Sequence, residues 1–167
     1  LRGAVHIAVG AELLDDVDRH GEAGRCVRGL LGQRRHGEAV LLDLLDAAGY
    51  EPGTGTGLRY AVYTYDWRRD LVEAARGLAL RLEGLAREIG DPGARFHLVG
   101  HSMGGLVVRW YLRYGGAEPD EHAPVTWAGA RRTASVLLTA TPSAGSIPAL
   151  GAITGGERVG LSHTTLA

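Results

Sequence analysis

Two spacings of apolar residues run through the middle of the chain, and the switches between them mark its elements. From Glu38 to Ala48, Val40, Leu41, Leu44, Leu45 and Ala48 recur at helical spacing, with Asp43 and Asp46 off the stripe. Gly49 follows as a stop signal. Glu51 to Gly57 reads as a loop, and Arg59 to Tyr65, rich in Tyr, Val and Thr, predicts a strand. A second helix is expected from Leu71 to Ile89, with Leu71, Ala75, Leu78, Leu82, Leu85 and Ile89 as its buried stripe. Asp70 with Glu73 resembles a capping box, with Asp in place of Ser or Thr. Gly90-Asp91-Pro92-Gly93 ends that helix. Phe96 to Val99 is a short apolar run suited to a buried strand. Leu106 to Tyr114 is an apolar segment stopped by Gly115, which suits a helix with a glycine C-cap. Ala134 to Ala140 is one more short apolar strand.

The flanks carry less pattern. Val5, Ile7 and Val9 alternate, which permits a short strand, and Ala11 to Arg19 suits a short helix with an acidic face. Gly115 to Arg132 reads as irregular. From Ile147 the chain is small, glycine-rich and weakly patterned. The clear elements run helix, strand, helix, strand, helix, strand. Strands alternating with helices predict an α/β fold with right-handed crossovers and a mostly parallel sheet, in three α/β/α layers. Ligands in such sheets bind beyond the carboxyl ends of the strands. Three segments fall at that edge: Asp66–Arg69, His101–Gly105 and Thr141–Ser146.

Length predicts a single domain with a real core. A formal net charge of −1 favours neither nucleic acid nor an acidic membrane as partner. No apolar run reaches the ~18 residues of a transmembrane helix, and no secretory signal is visible. Cys26 is the single cysteine, which excludes an internal disulfide and a cysteine-rich metal site. Every basic side chain is Arg, and Asn is absent as well as Lys. Both missing residues use A-rich codons, so the Arg, Ala and Gly enrichment reads as genomic base bias rather than as phosphate recognition.

Between the Phe96–Val99 strand and the following helix stands Gly100-His101-Ser102-Met103-Gly104. A G-x-S-x-G turn between strand and helix is the setting of a nucleophile elbow. Gly100 and Gly104 omit Cβ atoms that would collide where strand and helix cross, and Gly105 continues the opening of the helix. The helix aims its N-terminal amides at the serine, where they stabilise developing negative charge. Chance placement of the chain's 26 Gly and five Ser would give the pentapeptide roughly 0.1 times. The flanking strand and helix therefore carry more of the inference than the motif alone. The bland alternative is a glycine-rich turn with an idle serine.

Ser102 is the candidate nucleophile, and the Met103 backbone N–H is the expected oxyanion donor. His101 adjoins Ser102 but points elsewhere at such a turn, so it reads as packing. His97 reads as core or sheet face. His6 and His20 read as structural or solvated, Arg34-Arg35-His36 as a surface cluster, and His122 and His163 lie in weakly patterned segments. Asp66 and Arg68 suit an ion pair that fixes a loop, with substrate contact as the sharper alternative. Trp67 suits either core packing or the wall of an acyl site. Ser143 and Ser146 read as turn formers. The Gly-rich loop at Glu51–Gly57 lacks the Gly-Lys-Ser/Thr ending of a phosphate loop, and no cluster has metal-ligand spacing.

The chain resembles the α/β-hydrolase superfamily, and within it the lecithin:cholesterol acyltransferase family with its bacterial lipase-like relatives. Three features carry the likeness: Tyr65-Asp66-Trp67-Arg68, Gly100-His101-Ser102-Met103-Gly104-Gly105 and Thr141-Pro142-Ser143-Ala144-Gly145-Ser146. Their order and spacing match over residues 37–150, with 1–36 poorly assigned and 151–167 as a tail. The resemblance implies a partial α/β-hydrolase domain acting on lipid-like esters through a Ser102 acyl-enzyme, with no metal or cofactor. Asp66, Trp67, Arg68 and Thr141 would line the substrate side. In the superfamily the acid and histidine follow the serine along the chain. They are expected beyond Ala167, in a longer parent protein, so this stretch alone would be inactive or very weak. The family's opening strand and oxyanion loop are not recognisable in residues 1–35. A generic carboxylesterase or thioesterase, and a non-catalytic binding domain of the same fold, remain alternatives. Acyl transfer or hydrolysis, oligomeric state and localisation stay open.

Overall fold

A computed structural model describes residues 5–12, 38–54, 57–117, 120, 122, 124–155, 157–159 and 162–164. Its centre is a parallel sheet in the order β2-β3-β1-β4-β5. The strands are β1 (Val5–Glu12), β2 (Glu51–Pro52), β3 (Arg59–Asp66), β4 (Phe96–His101) and β5 (Thr133–Thr139). The helices are α1 (Glu38–Ala47), α2 (Leu71–Ile89), α3 (Gly104–Tyr114) and α4 (Ile147–Gly155). A short antiparallel pair, β6 (Glu157–Val159) and β7 (Ser162–Thr164), follows. The α/β reading and the parallel sheet are thus borne out.

The core forms where α2 and α3 lie on one face of the sheet. Ala75, Leu78, Leu82 and Leu85 of α2 are fully buried, as are Val107 and Val108 of α3. They meet Phe96 and Leu98 of β4 and Ala61 and Tyr65 of β3. Each fully buried Leu or Phe contributes about 2 kcal/mol of transfer free energy. The stripe expected for α2 is the buried face, with Leu71 and Ile89 half-buried at its ends. Asp70 caps α2, its carboxylate accepting the Val72 N–H at 2.8 Å. The reciprocal half of a capping box does not form, because Glu73 pairs with Arg69 at 2.9 Å instead. Gly90 ends α2 in the left-handed conformation, its N–H reaching Ala86 and Arg87 carbonyls.

Several expectations need correction. The alternation at Val5 extends through Ala11 and Glu12, which pair with Tyr65 and Asp66, so no helix starts at Ala11. This strand lies between β3 and β4, so the weakly patterned N-terminal stretch supplies a central strand. The rest of that expected helix, His20, Cys26 and Arg34-Arg35-His36 lie outside the described residues. Glu51–Pro52 is not loop but a short strand on β3, and the Gly53 N–H continues the pairing to Tyr60 O at 2.9 Å. Helix α1 forms where expected, yet Leu44 of its stripe is 62% exposed. Among the described residues it is linked to the sheet by the Tyr60 hydroxyl on Asp46 at 3.2 Å. Helix α4 lies in the stretch read as unpatterned. Its residues are uniformly small or apolar, so no stripe announced it, and Ile147 and Leu150 are exposed. The readable signal was Ser146, whose hydroxyl accepts the Ala149 N–H.

Among the described residues no helix is long and apolar enough to cross a membrane. Because all five strands run parallel, the loops after β3, β4 and β5 emerge at the same edge.

Candidate active site

Ser102 follows β4 directly and holds φ at +52°, a conformation unusual for a residue with a side chain. The turn is two residues long: Met103 already has helical backbone, and α3 starts at Gly104. Close approach explains Gly100 and Gly105. A Cβ at Gly100 would lie 2.7 Å from Gly105 Cα, and one at Gly105 would lie 1.9 Å from Thr141 Oγ1. Gly104 is buried beside them. Strand and helix therefore cross with backbone on backbone, and the serine between them is pushed to the exposed rim.

The N-terminus of α3 has no side-chain cap. Within the turn Gly105 N–H donates to Ser102 O at 3.1 Å and Leu106 N–H to Met103 O at 2.9 Å. The amides of Met103 and Gly104 donate to no group among the described residues. Two adjacent free amides at a helix N-terminus form a site where negative charge is favoured. The Met103 side chain is half-buried against the core.

The neighbouring strand holds this turn. The Ser102 N–H donates to Thr139 O, the last residue of β5, at 2.9 Å. Ala140, next along, also has positive φ, at +51°. Its kink turns Thr141 onto the first turn of α3. Arg109 of α3 then reaches Ser143 O with Nη1 at 3.4 Å. Thr141 Oγ1 is buried with no hydrogen-bond partner among the described residues, a burial that ordinarily costs about 1–3 kcal/mol. Nothing in the sequence marks Thr139, Ala140 or Arg109 for this bracing. A residue needing positive φ is betrayed only when it is Gly, Asn or Asp, and Ala140 is none of these.

The loop after β3 is built differently. Asp66 accepts from Arg68 three times: from the backbone N–H at 3.0 Å, from Nε at 2.8 Å and from Nη2 at 2.8 Å. This fork holds the Asp66 carboxyl down at about 2, from an ordinary 3.8. The ion pair expected here therefore forms. Trp67 is 47% exposed, which removes the core-packing reading. Tyr63 and Tyr65 stack behind the loop, and burial, seconded by Glu73, pushes the Tyr63 hydroxyl up to about 12.

The structure brings together two of the three expected loops, Ser102–Gly105 and Thr141–Ser143. The third is set apart, because β1 lies between β3 and β4 and two strand spacings are about 10 Å. A cavity of about 700 Å³ opens beside the Asp66 loop, lined by Tyr63, Asp66, Arg69, Glu73, Arg76 and Leu80 among others. Ser102 is not among its lining residues, so this cavity is not the space above the serine.

No histidine among the described residues hydrogen-bonds the Ser102 hydroxyl. His97 is engaged with Ser135 Oγ at 2.7 Å. Alternation from Phe96 and Leu98, which face the helices, puts His97 and His101 on the other face of β4. His122 is exposed, and His6 and His163 belong to β1 and β7. No group of metal-ligating residues occurs among the described residues.

A family model described as Lecithin:cholesterol acyltransferase matches residues 33–166. The chain belongs to that family, and membership points at the general level to acyltransferase or hydrolase chemistry on lipids. A search of curated proteins and a search of solved structures each return no match.

Proposed function

From this membership we propose that the chain is the nucleophile-bearing part of an α/β-hydrolase domain that transfers acyl groups from lipid-like esters. One observation carries the proposal. Ser102 sits in the left-handed region at the tip of a strand–turn–helix, beside two unsatisfied amides. Backbone strain of this kind costs about 1–3 kcal/mol and clusters at functional sites. Helices α2 and α3 on one face, and the Tyr60–Asp46 contact toward α1 on the other, support a three-layer arrangement.

In the proposed reaction Ser102 Oγ attacks the ester carbonyl carbon and gives its proton to a base. The tetrahedral oxyanion takes the Met103 N–H. The carbonyl–alkoxide bond then breaks, the alcohol leaves with the proton, and an acyl-enzyme remains. Water or a second alcohol reverses these steps and carries the acyl group away. Gly100, Gly104 and Gly105 let the turn form. Trp67, exposed on the loop that the Asp66–Arg68 fork fixes, offers an apolar surface across β1 from the elbow for the far end of an acyl chain. The base and its acid would come from outside the described residues. No step calls for a metal or cofactor.

The test is fluorophosphonate labelling of the full-length protein. The expected result is one adduct on the Ser102 peptide, absent in Ser102→Ala. An unlabelled wild-type protein overturns the enzymatic reading in favour of a binding domain. With labelling established, nitrophenyl esters of rising chain length separate a lipase-like site from a small-ester esterase.

A further inference from the structure

Thr141 differs from the other residues gathered at the elbow, because its buried hydroxyl has no visible task. The side chain sits in the notch that Gly105 leaves: a Cβ there would lie 1.9 Å from Oγ1, 2.7 Å from Cγ2 and 2.8 Å from Cβ of Thr141. Oγ1 is shielded from solvent and has no hydrogen-bond partner among the described residues. Valine would fill the notch with the same branched shape and leave no polar atom unsatisfied. Yet the chain holds Ala140 in a strained conformation, and that strain is what delivers Thr141 to this point. His101 pairs with Thr139, so the left-handed residues Ser102 and Ala140 each follow directly on one paired position. The Ser102 N–H to Thr139 O bond ties the two kinks together.

The peptide unit after Ser102 explains what a hydroxyl could do here. Its N–H is that of Met103, the amide offered to a developing oxyanion. Its carbonyl is that of Ser102, which accepts one hydrogen bond, from Gly105 N–H. A carbonyl oxygen has a second lone pair, and a donor to it makes the N–H of the same unit a stronger donor. We propose that Thr141 is a positioning residue for the Ser102 turn. Its branched side chain sets the first turn of α3 through the Gly105 notch. Its hydroxyl donates to the Ser102 carbonyl as Met103 N–H swings toward the reacting oxygen. No covalent bond or proton changes hands in this step. The inference rests on reading Ser102 as the residue that is acylated.

The experiment compares wild-type, Thr141→Val and Thr141→Ser full-length proteins. It measures melting temperature, fluorophosphonate labelling rate, and kcat and KM for nitrophenyl butyrate. Thr141→Val is expected to keep its melting temperature and KM and lose about tenfold in kcat and labelling rate, equivalent to about 1.4 kcal/mol of barrier. Thr141→Ser is expected to recover most of that loss. Should the valine variant not fold, Thr141→Ala takes its place against Thr141→Ser. Full reactivity in Thr141→Val overturns the inference and leaves the Ser102 reading standing. Equal losses in Val and Ser, tracking a lower melting temperature, also overturn it, since packing alone would then be at work. An unlabelled wild type overturns the Ser102 reading, and the inference falls with it.

Discussion

Two strand-to-helix junctions stand at the same edge of this sheet, and they treat their helix ends in opposite ways. Between β3 and α2 the chain takes four residues, Trp67 to Asp70, none with positive φ. Its polar groups are answered from within: Asp66 binds Arg68, and Asp70 caps the Val72 N–H. Between β4 and α3 the chain takes two residues, strains Ser102, and leaves the Met103 and Gly104 amides unanswered among the described residues. One helix N-terminus already holds a carboxylate. The other keeps its positive end open, where negative charge is favoured. The cost of the second junction is carried by the glycines and by the β5 loop that braces it.

The largest effect expected from breaking this contrast is at Gly100. Its Cβ would meet Gly105 Cα at 2.7 Å and Gly105 N at 3.0 Å, backbone atoms that cannot rotate away. Gly100→Ala should therefore destabilise by about 3 kcal/mol, read as a lower denaturation midpoint with unchanged slope. No equivalent crowding is expected from alanine at Arg69 in the other junction, which is exposed and should change stability by less than about 0.5 kcal/mol. Equal effects at both positions would remove the distinction.

Next in size is the strain itself. Ser102→Gly lets the αL backbone relax and should raise stability by about 1 kcal/mol while abolishing fluorophosphonate labelling. A stabilised, unreactive variant is the signature of a residue kept for chemistry. A destabilised one would mean that the serine hydroxyl holds the turn together. At the first junction the sign reverses. Asp70→Ala removes the cap of α2 and should cost about 1 kcal/mol in thermal or denaturant unfolding.

How much of this was legible beforehand depends on how local the cause is. Leu78, Leu82 and Leu85 repeat within one helix, so their shared buried face could be read directly. The elbow is legible because Gly-x-Ser-x-Gly stands between an apolar strand and an apolar helix within one short stretch of chain. What failed was set by neighbours in space. Whether Val5, Ile7 and Val9 form a stray strand or the sheet's centre depends on β3 and β4 pairing to either side. The stripe of α1 located a helix but not its burial, since Leu44 stays exposed. Ala140 gives no sign of its left-handed backbone, because nothing in an alanine asks for it. Thr141's place against Gly105 has no local signal either, because it exists only once β5 and α3 are packed.

The smallest effect belongs to the Asp66–Arg68 fork, and it separates the junctions by pH. The Arg68 guanidinium lowers the Asp66 carboxyl from 3.8 to about 2, so the folded protein binds that proton less readily than the unfolded chain. The stabilisation is accordingly complete above about pH 4. It is lost as pH falls toward 2, where the folded carboxyl itself takes up the proton. Exposure of the pair keeps the contribution small. Acid unfolding of wild type against Asp66→Asn should show converging midpoints below about pH 3 and a modest wild-type advantage above 4. Labelling of Ser102 should keep its own pH profile in Asp66→Asn, because no Asp66 contact reaches the elbow and β1 stands between them. A shifted labelling profile in that variant would show the two junctions electrostatically joined, and the opposition drawn between them would have to be replaced by a single shared site.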